Sequence, residues 1–295
     1  MHHRLLPVKL VIVRSILPIL LLLSGTVAAP GQNLSALTPI QAQDLVTRVL
    51  VTESRAAQDQ SHPMRYRLRK TTPRLTSIKE MIETKDGVVA HLISIDDQPL
   101  NQADEQKEEA RLDALLSDPG LQQHRKKNED GDLARALSVL RVLPQAFLYQ
   151  FAGTAMTSTG TVEKFTFKPN PQFVAPDLET QVLTAMTGEI WIDAVQERVV
   201  RLEGHLVQDK DFGWGILGEL DKGGWIVIDQ ADVGGHRWRI VHLRLVMSGR
   251  VLFKTKNSDS EQEYTQFAPL PAGVDYRQAI QMLRADPAGA GQGRR

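Results

Sequence analysis

The stretch from Val199 to Val207 reads VVRLEGHLV, and the stretch from Arg239 to Met247 reads RIVHLRLVM. Apolar and polar residues alternate in both, which is typical of half-buried β-strands because successive side chains leave opposite sides of the pleat. One face carries Val200, Leu202, Leu206, Val241, Leu243 and Leu245. The other carries Arg201, Glu203, His205, Ile240, His242 and Arg244. We predict that the first six line a common interior and bind an apolar ligand there, because a register slip would bury unpaired charges.

The surrounding segment, from Gly188 to Lys256, contains all four tryptophans of the chain and further short apolar runs. Polar or glycine-containing turns at residues 193–197, 221–224 and 234–235 separate these runs and favour antiparallel hairpins. Trp225 to Ile228 is predicted to be a strand, as is Arg250 to Lys254 after a break at Gly249. The fold class predicted for the chain is α+β, with a mostly antiparallel sheet that has one apolar and one polar face.

The region before this sheet begins with a helix and continues into strands. Thr38 is a suitable N-cap and Pro39 a suitable first helical residue, so we predict a helix to about Gln58. Three strands are predicted at residues 64–70, 75–84 and 88–95, with Asp86-Gly87 as the hairpin turn between the last two.

The composition changes at Asp97, where a heavily charged segment begins. We predict a helix from Asn101 to Leu116, a break at residues 118–120, a polar loop at 124–130, and a second helix capped by Asp132 that ends before Pro144. The charges are predicted to form a solvated helix face, and this insertion, at about residues 97–143, would cap one end of the sheet.

The remaining elements complete a single predicted domain over residues 38–284. Strands are expected at 146–153, 162–168 and 261–267, and a short helix at 276–283. Residues 178–187 are compatible with either a short helix or irregular structure. Residues 285–295 are rich in Gly and Ala and are predicted to be a disordered tail.

The first 29 residues have the features of a targeting segment. Three basic residues precede an apolar run from Ile16 to Leu23, and small residues follow at Val27-Ala28-Ala29. We predict a signal peptide cleaved after Ala28 or Ala29 and export to the periplasm, with secretion as the second choice. The alternative is a retained membrane anchor, but the apolar run falls short of the ~20 residues that span a bilayer.

The overall composition excludes some functions and constrains others. The chain has 295 residues, no cysteine, and 35 basic against 35 acidic residues. A balanced charge gives no reason to expect nucleic acid as a partner. The absence of cysteine excludes disulfides, so stability must come from the apolar core.

The candidate catalytic motifs are weak. Residues 213–218 match G-x-G-x-x-G, but strand patterns flank the motif, whereas a dinucleotide site needs a helix after it. His205, His236 and His242 lie in the sheet region without metal-ligand spacing. Glu203 with His205, and Asp209 with Asp211, are too common as local pairs to indicate catalysis. We therefore predict a protein that is not an enzyme and that needs neither a cofactor nor a metal.

One hairpin resembles a known family. Gly188-Glu189-Ile190-Trp191-Ile192-Asp193 turns back through Arg198-Val199-Val200-Arg201-Leu202-Glu203. This is similar to the G-x-[IL]-W-[IL]-D…R-[IVL]-x-[RK]-[IVL] hairpin of the lipoprotein-localisation (LolA/LolB-like) superfamily of periplasmic carriers. The resemblance implies a curved antiparallel sheet, or unclosed barrel, with helices packed on its concave face and acyl chains held there. The chain departs from the family in its charged segment and in lacking a lipidated cysteine, and no ligand residues are carried over.

Two functions are consistent with this pattern. The first is an exported, non-catalytic carrier or binder of a lipid or acylated protein. The second is a structural or interaction module of the cell envelope with a solid core, in contact with envelope proteins. They differ in whether helices or a ligand cover the apolar face. A hydrolase has no supporting group of residues.

Overall fold

A computed structural model of the protein describes residues 37–157, 160–212, 218–251 and 254–285. The helices among them are α1 (Pro39–Gln58), α2 (Gln102–Ser117), α3 (Pro119–Ala146) and α4 (Tyr276–Ala285), with a 3₁₀ helix at Thr180–Ala185. The strands before the 3₁₀ helix are β1 (Met64–Thr72), β2 (Leu75–Ile82), β3 (Val89–Ile95), β4 (Gln98–Pro99), β5 (Phe147–Thr157) and β6 (Gly160–Pro169). Those after it are β7 (Met186–Asp193), β8 (Arg198–Leu206), β9 (Lys210–Phe212), β10 (Gly218–Leu220), β11 (Trp225–Asp232), β12 (Trp238–Val251) and β13 (Lys254–Pro269).

All of these strands belong to one antiparallel sheet. Its order is β4-β3-β2-β1-β13-β12-β11-β8-β7-β6-β5, with β10 added beside β12 and β9 beside β10. The ends of the order, β4 and β5, do not pair with each other, so the sheet is curved but unclosed. The predicted fold class, α+β with helices packed on the concave face, is confirmed.

Cross-strand pairing defines two faces of this sheet. Directly opposed residues of antiparallel strands project to the same side. Ile190 opposes Leu202, Leu202 opposes Ile228, and Ile228 opposes Leu243. We call the face that carries this row the inner face, because the core formed with α1 lies on it, and the opposite face the outer face.

Helix α1 begins as the sequence predicts. Thr38 accepts a hydrogen bond from the Gln41 backbone N–H (3.3 Å), and the Gln41 side chain accepts one from the Thr38 N–H (2.9 Å). This capping box, with Pro39 at the first position, satisfies the free N–H groups of the first turn. The buried residues of the helix are Ala42, Leu45, Val46, Val49, Leu50 and Glu53. Their helical spacing places one face of α1 against the strands.

The predicted break after the first charged helix is confirmed, because α2 ends at Ser117 and α3 begins at Pro119. The loop predicted at 124–130 is wrong, because α3 is continuous from Pro119 to Ala146. Asp118 accepts a hydrogen bond from the Gly120 N–H (2.9 Å), and Pro119 occupies the first turn, where a missing N–H costs nothing. Asp118-Pro119 therefore begins a helix, and Asp132 lies inside it rather than at its start. Pro144 is also inside the helix, in its last turn.

Polar and charged side chains of α2 and α3 form hydrogen bonds with the free edge of β3 and with the residues just before it, so the expected solvated helix face is only part of their role. The carbonyl oxygens of Asp86, Val88 and Ala90 accept hydrogen bonds from Gln122, Arg125 and Arg111. The N–H groups of Val88 and Leu92 donate to Glu129 (2.9 Å) and Glu108 (2.8 Å). These bonds satisfy backbone groups that an edge strand otherwise leaves free for pairing with another chain. Helices α2 and α4 also form a second, smaller core with Ile82 and Val89.

The predicted break at Gly249 is also wrong, since β12 continues through it to Val251. A Cβ at Gly249 would meet the Glu219 carbonyl oxygen and lie 3.1 Å from the Leu220 Cα of neighbouring β10. Glycine is therefore required there for close backbone approach and does not end the strand. Strand β13 is correspondingly longer than the predicted 261–267.

Three predicted features lie outside the described residues: the signal peptide at 1–29, most of the glycine motif at 213–218 with Trp214, and residues 286–295 of the predicted tail. Among the described residues, no helix combines the length and the apolar character that crossing a membrane requires.

Candidate functional site

Four of the six predicted interior residues lie on the inner face. Leu202 opposes Ile190, and Leu206 opposes Met186. Leu243 opposes Ile228, and Leu245 opposes Ile226. Leu206 is 1% exposed and belongs to the α1 core, whereas Leu202, Leu243 and Leu245 are only half-buried. Leu202 packs against the α1 core from its margin, so a ligand on this face would meet Leu243 and Leu245 rather than Leu206.

Val200 and Val241 do not follow the alternation, because each occupies an irregularity in register. Trp191 opposes Arg201 while the next residue, Ile192, opposes Val199, so Val200 is an extra residue in β8. Val241 is likewise skipped between the pairs at His242 and Ile240. A β-bulge of this kind shifts the alternation by one residue. Val199, which the pattern places on the outer side, is consequently 5% exposed and part of the core.

The inner face has two parts that differ in how fully they are covered. From β5 to β8 it is packed against α1 and α3, and Phe165, Ile190 and Ile192 are at most 1% exposed. We call this part the covered half. From β11 through β12 and β13 to β1, most apolar side chains of this face are only half-buried, and we call this part the open half. Its members are Ile226, Ile228, Leu243, Leu245, Tyr264, Phe267, Tyr66 and Leu68. Trp238 and Met64, at its margin, are buried.

Three aromatic residues form the β1–β13 end of the open half. The ring of Tyr66 stacks on Phe267 at 5.5 Å between centroids and lies 5.9 Å from that of Tyr264. Burial raises the pKa of the Tyr66 hydroxyl well above its ordinary value, and Glu83 raises it further. Sequence reasoning missed this cluster because the two strands are almost 200 residues apart. The only local signal is the weak alternation of Tyr66 with Leu68 in β1.

A buried ion pair marks the boundary between the two halves. Glu53 of α1, 7% exposed, accepts hydrogen bonds from Arg198 Nε (2.8 Å), Arg198 Nη2 (3.0 Å) and the Val199 N–H (2.9 Å). Gln230 of β11 donates to the same carboxylate at 3.2 Å. One side chain thus joins the helix to a strand of each half.

The outer face carries a row of charged side chains. Arg201 donates to Asp229 (2.8 Å) and Glu203 (2.9 Å), and His242 lies 3.0 Å from both Asp229 and Glu261. Hydrogen bonds from Arg201 and His205 hold the pKa of Glu203 below its ordinary value. The Glu203 carboxylate is thus stabilised in its charged form, which suits ion pairing better than proton transfer.

Two surface hollows lie among the described residues, and none of the apolar members of the open half lines either of them. One, of about 360 Å³, lies beside Gly188, Glu203 and His205. The other, of about 370 Å³, lies beside Arg198, His236 and Trp238. Both are shallow and open. The described residues contain no group of three or more His, Asp or Glu side chains that could hold a metal ion.

Gly188, the first residue of the hairpin that resembles the carriers, has a clear structural role. It opposes Gly204, and a Cβ there would meet the Glu203 carbonyl oxygen and lie 2.7 Å from Cζ of Phe167. The missing side chain lets the Phe167 ring lie over the sheet. This part of the pattern is therefore explained by packing in the covered half.

Comparisons with known proteins give little further information. No protein-family model and no curated protein matches the chain. One solved structure is similar to it: a crystal structure from Vibrio parahaemolyticus, provisionally described as an outer membrane lipoprotein-sorting protein domain. The identity is 9%, the TM-score is 0.31, and the match covers 83% of this chain and 99% of that one. This similarity is too distant to support a function, so any functional proposal must rest on the inner face of the sheet.

Proposed function

We propose that the protein is an exported, non-catalytic carrier or binder of a lipid or acyl chain, and that the ligand lies on the open half of the inner face. The observation that supports this most is the incomplete cover of that half. Ile228, Leu243 and Leu245 project to the side of the sheet that forms the core, yet they remain half-buried. Any apolar group that covers side chains in such a position removes their surface from water and is bound more favourably for that reason.

The size of this gain is sufficient for a ligand of modest length. Removing apolar surface from water is worth about 25 cal/mol per Å², so covering ~200 Å² contributes about 5 kcal/mol before the costs of association. The half-buried aromatic rings of Tyr66, Tyr264 and Phe267 extend the same surface toward β1. A single acyl chain laid across the strands would contact both groups.

The solid-core module remains the second candidate, and one observation favours it. In the covered half, α1 already packs on the strands as a ligand would, and Phe165 and Ile192 have no exposed surface. On this reading the open half is simply the margin of that core, and its half-buried residues contact an envelope protein.

Lipid binding by a pair of aspartate variants distinguishes the two candidates. Leu243→Asp introduces a charge on the inner face, while Val246→Asp introduces one on the outer face of the same strand, at a position that is also half-buried. The probe is a fluorescent C11 fatty acid, titrated by its emission. Circular dichroism measures the fold of each variant.

For a carrier, we expect the wild type and Val246→Asp to bind the probe, and Leu243→Asp to stay folded and lose binding. For a solid core, we expect no binding by the wild type, and unfolding of Leu243→Asp because a charge is buried without a partner. Equal binding by both variants would contradict the placement of the ligand. Native mass spectrometry of protein purified from its own periplasm would then identify the natural ligand.

A further inference from the structure

An unpaired cation lies on the inner face at the edge of the open half. Lys79 of β2 opposes Leu68 of β1, and Leu68 opposes Tyr264 of β13, so the three side chains project to the same side. Lys79 is half-buried, and within the described parts of the chain its ammonium group has no hydrogen bond or ion pair. A lysine in this setting ordinarily has a carboxylate partner or extends fully into water.

The surroundings of Lys79 make its positive charge less favourable, and a bound anion would offset this effect. Burial lowers its pKa, and the positive charges of Arg111, Lys70 and Arg125 act in the same direction. A second donor is also unsatisfied. Arg125 donates a hydrogen bond from Nη2 to the Val88 carbonyl oxygen (2.7 Å), but its Nη1 is buried without a hydrogen-bond partner. Two cationic donors, close enough for the charge of Arg125 to act on Lys79, therefore lack acceptors.

The acidic groups nearby are already occupied. Glu108 accepts hydrogen bonds from Arg111 at 2.7 Å and from the Leu92 N–H at 2.8 Å. Glu129 accepts from the Val88 N–H at 2.9 Å. Lys79 and the three cations that act on it outnumber these two carboxylates, so positive charge is in excess here. Neither carboxylate bonds to Lys79. A group with several acceptor oxygens and a negative charge would satisfy Lys79 and Arg125 together.

We infer that Lys79 and Arg125 form an anion site that takes the phosphate group of an amphiphilic lipid, with the acyl chain of that lipid on the open half. This inference rests on the proposed function and adds the class of headgroup to it. Tyr264 lies two strands away from Lys79, and strand β12 lies three strands away. At the usual strand spacing of about 4.8 Å, this is a distance of up to about 15 Å. A phosphate at Lys79 thus places a single chain across Leu68 and Tyr264 toward Leu243.

Three probes distinguish the contribution of the headgroup to binding from that of the chain. They are dodecyl phosphate, the neutral glycerol monolaurate with a chain of the same length, and inorganic phosphate. Binding is measured by isothermal titration calorimetry on the full chain, below the micellar concentration of each amphiphile. The variants are Lys79→Gln, Lys79→Arg, and the control Lys168→Gln, which makes the same change at an exposed lysine of β6 that opposes Leu148.

We expect Lys79→Gln to weaken dodecyl phosphate binding about tenfold, which is the loss of one charge-assisted hydrogen bond of about 1.4 kcal/mol. Lys79→Arg and Lys168→Gln keep the affinity, and monolaurate binds every variant alike. Because Lys79 has no partner in the fold, Lys79→Gln without ligand should be at least as stable as the wild type. A loss of stability would show that the lysine has a structural partner and would overturn the inference.

The other outcomes are also decisive. If monolaurate binds as tightly as dodecyl phosphate and Lys79→Gln changes neither, the anion site is refuted and the lipid carrier stands. If neither amphiphile binds but inorganic phosphate does so in a way that depends on Lys79, the carrier is refuted and the site binds a free anion. If no probe binds the wild type, both proposals are refuted.

Discussion

The covered and open halves of the inner face are built from the same kind of strand, yet they differ in what lies over them. In the covered half, Phe165 and Ile190 pack against α1 and are at most 1% exposed. In the open half, Ile228 and Leu243 have the same orientation but remain half-buried. The difference shows that an apolar strand face becomes core only where a helix covers it. The single apolar face of α1 covers one half and leaves the other accessible to a ligand or a partner.

The largest expected effect is a loss of stability in the covered half. Phe165→Ala removes a ring that is fully buried and 5.7 Å from that of Phe151, so we expect the free energy of unfolding to fall by about 4 kcal/mol. Urea unfolding followed by circular dichroism measures the change. Thr166→Ala, at the next residue and exposed, is the control and should change little. A cost below about 1 kcal/mol for Phe165→Ala would show that the covered half is not a packed core.

The second prediction concerns the boundary between the halves. Glu53→Ala leaves Arg198 without its buried partner and the Val199 N–H without an acceptor, so we expect a loss of about 3 kcal/mol. The same unfolding measurement applies. Arg48→Ala breaks an exposed pair of the same helix with Glu197 and should cost less than about 1 kcal/mol. Equal effects of the two variants would mean that Glu53 does not hold α1 on the sheet.

The third prediction compares two leucines that the sequence treats as equivalent. Leu206 is enclosed in the covered half, so Leu206→Ala should cost about 3 kcal/mol. Leu243 is half-buried in the open half, so Leu243→Ala should cost only about 1 kcal/mol in the absence of ligand. Thermal unfolding of the two variants measures the difference. If Leu243→Ala costs as much as Leu206→Ala, the two halves are equally packed and the distinction between them fails.

The smallest expected effect depends on pH and concerns the outer side of the open half. Burial alone would lower the pKa of His242, but hydrogen bonds with Glu261 and Asp229 outweigh it and raise the pKa. A raised pKa in the folded state stabilises the protein below the ordinary value of about 6.5, and that stability is lost as the pH rises through the folded value. Because the pair with Glu261 is partly exposed, we expect less than about 1 kcal/mol.

Unfolding of the wild type and of His242→Gln between pH 5 and pH 9 tests this effect. The stability advantage of the wild type should be greatest at the acidic end and disappear at the alkaline end. His124→Gln, on the exposed surface of α3, is the control for replacing an imidazole with an amide. An advantage that grows with rising pH would contradict the assigned hydrogen bonds.

Local sequence signals determined many of the elements of this fold. The cap at Thr38-Pro39, the turn at Asp86-Gly87 and the alternation of Leu202, Leu243 and Leu245 predict features that the structure contains. They succeed because capping, turn formation and strand periodicity depend on residues a few positions apart. The same signals place Leu202, Leu243 and Leu245 on one face of the sheet.

Only the tertiary structure decided where these patterns are interrupted and what covers each face. The bulges at Val200 and Val241 arise from pairing with neighbouring strands, and they bring Val199 into the core. The polar run after His124 is helical because its side chains find acceptors and donors on the edge of β3. The unpaired state of Lys79 likewise depends on residues from α2 and α3 that are distant in sequence. Such contacts bring together segments that no local pattern relates, because burial and pairing energies depend on the neighbours that the folded chain supplies.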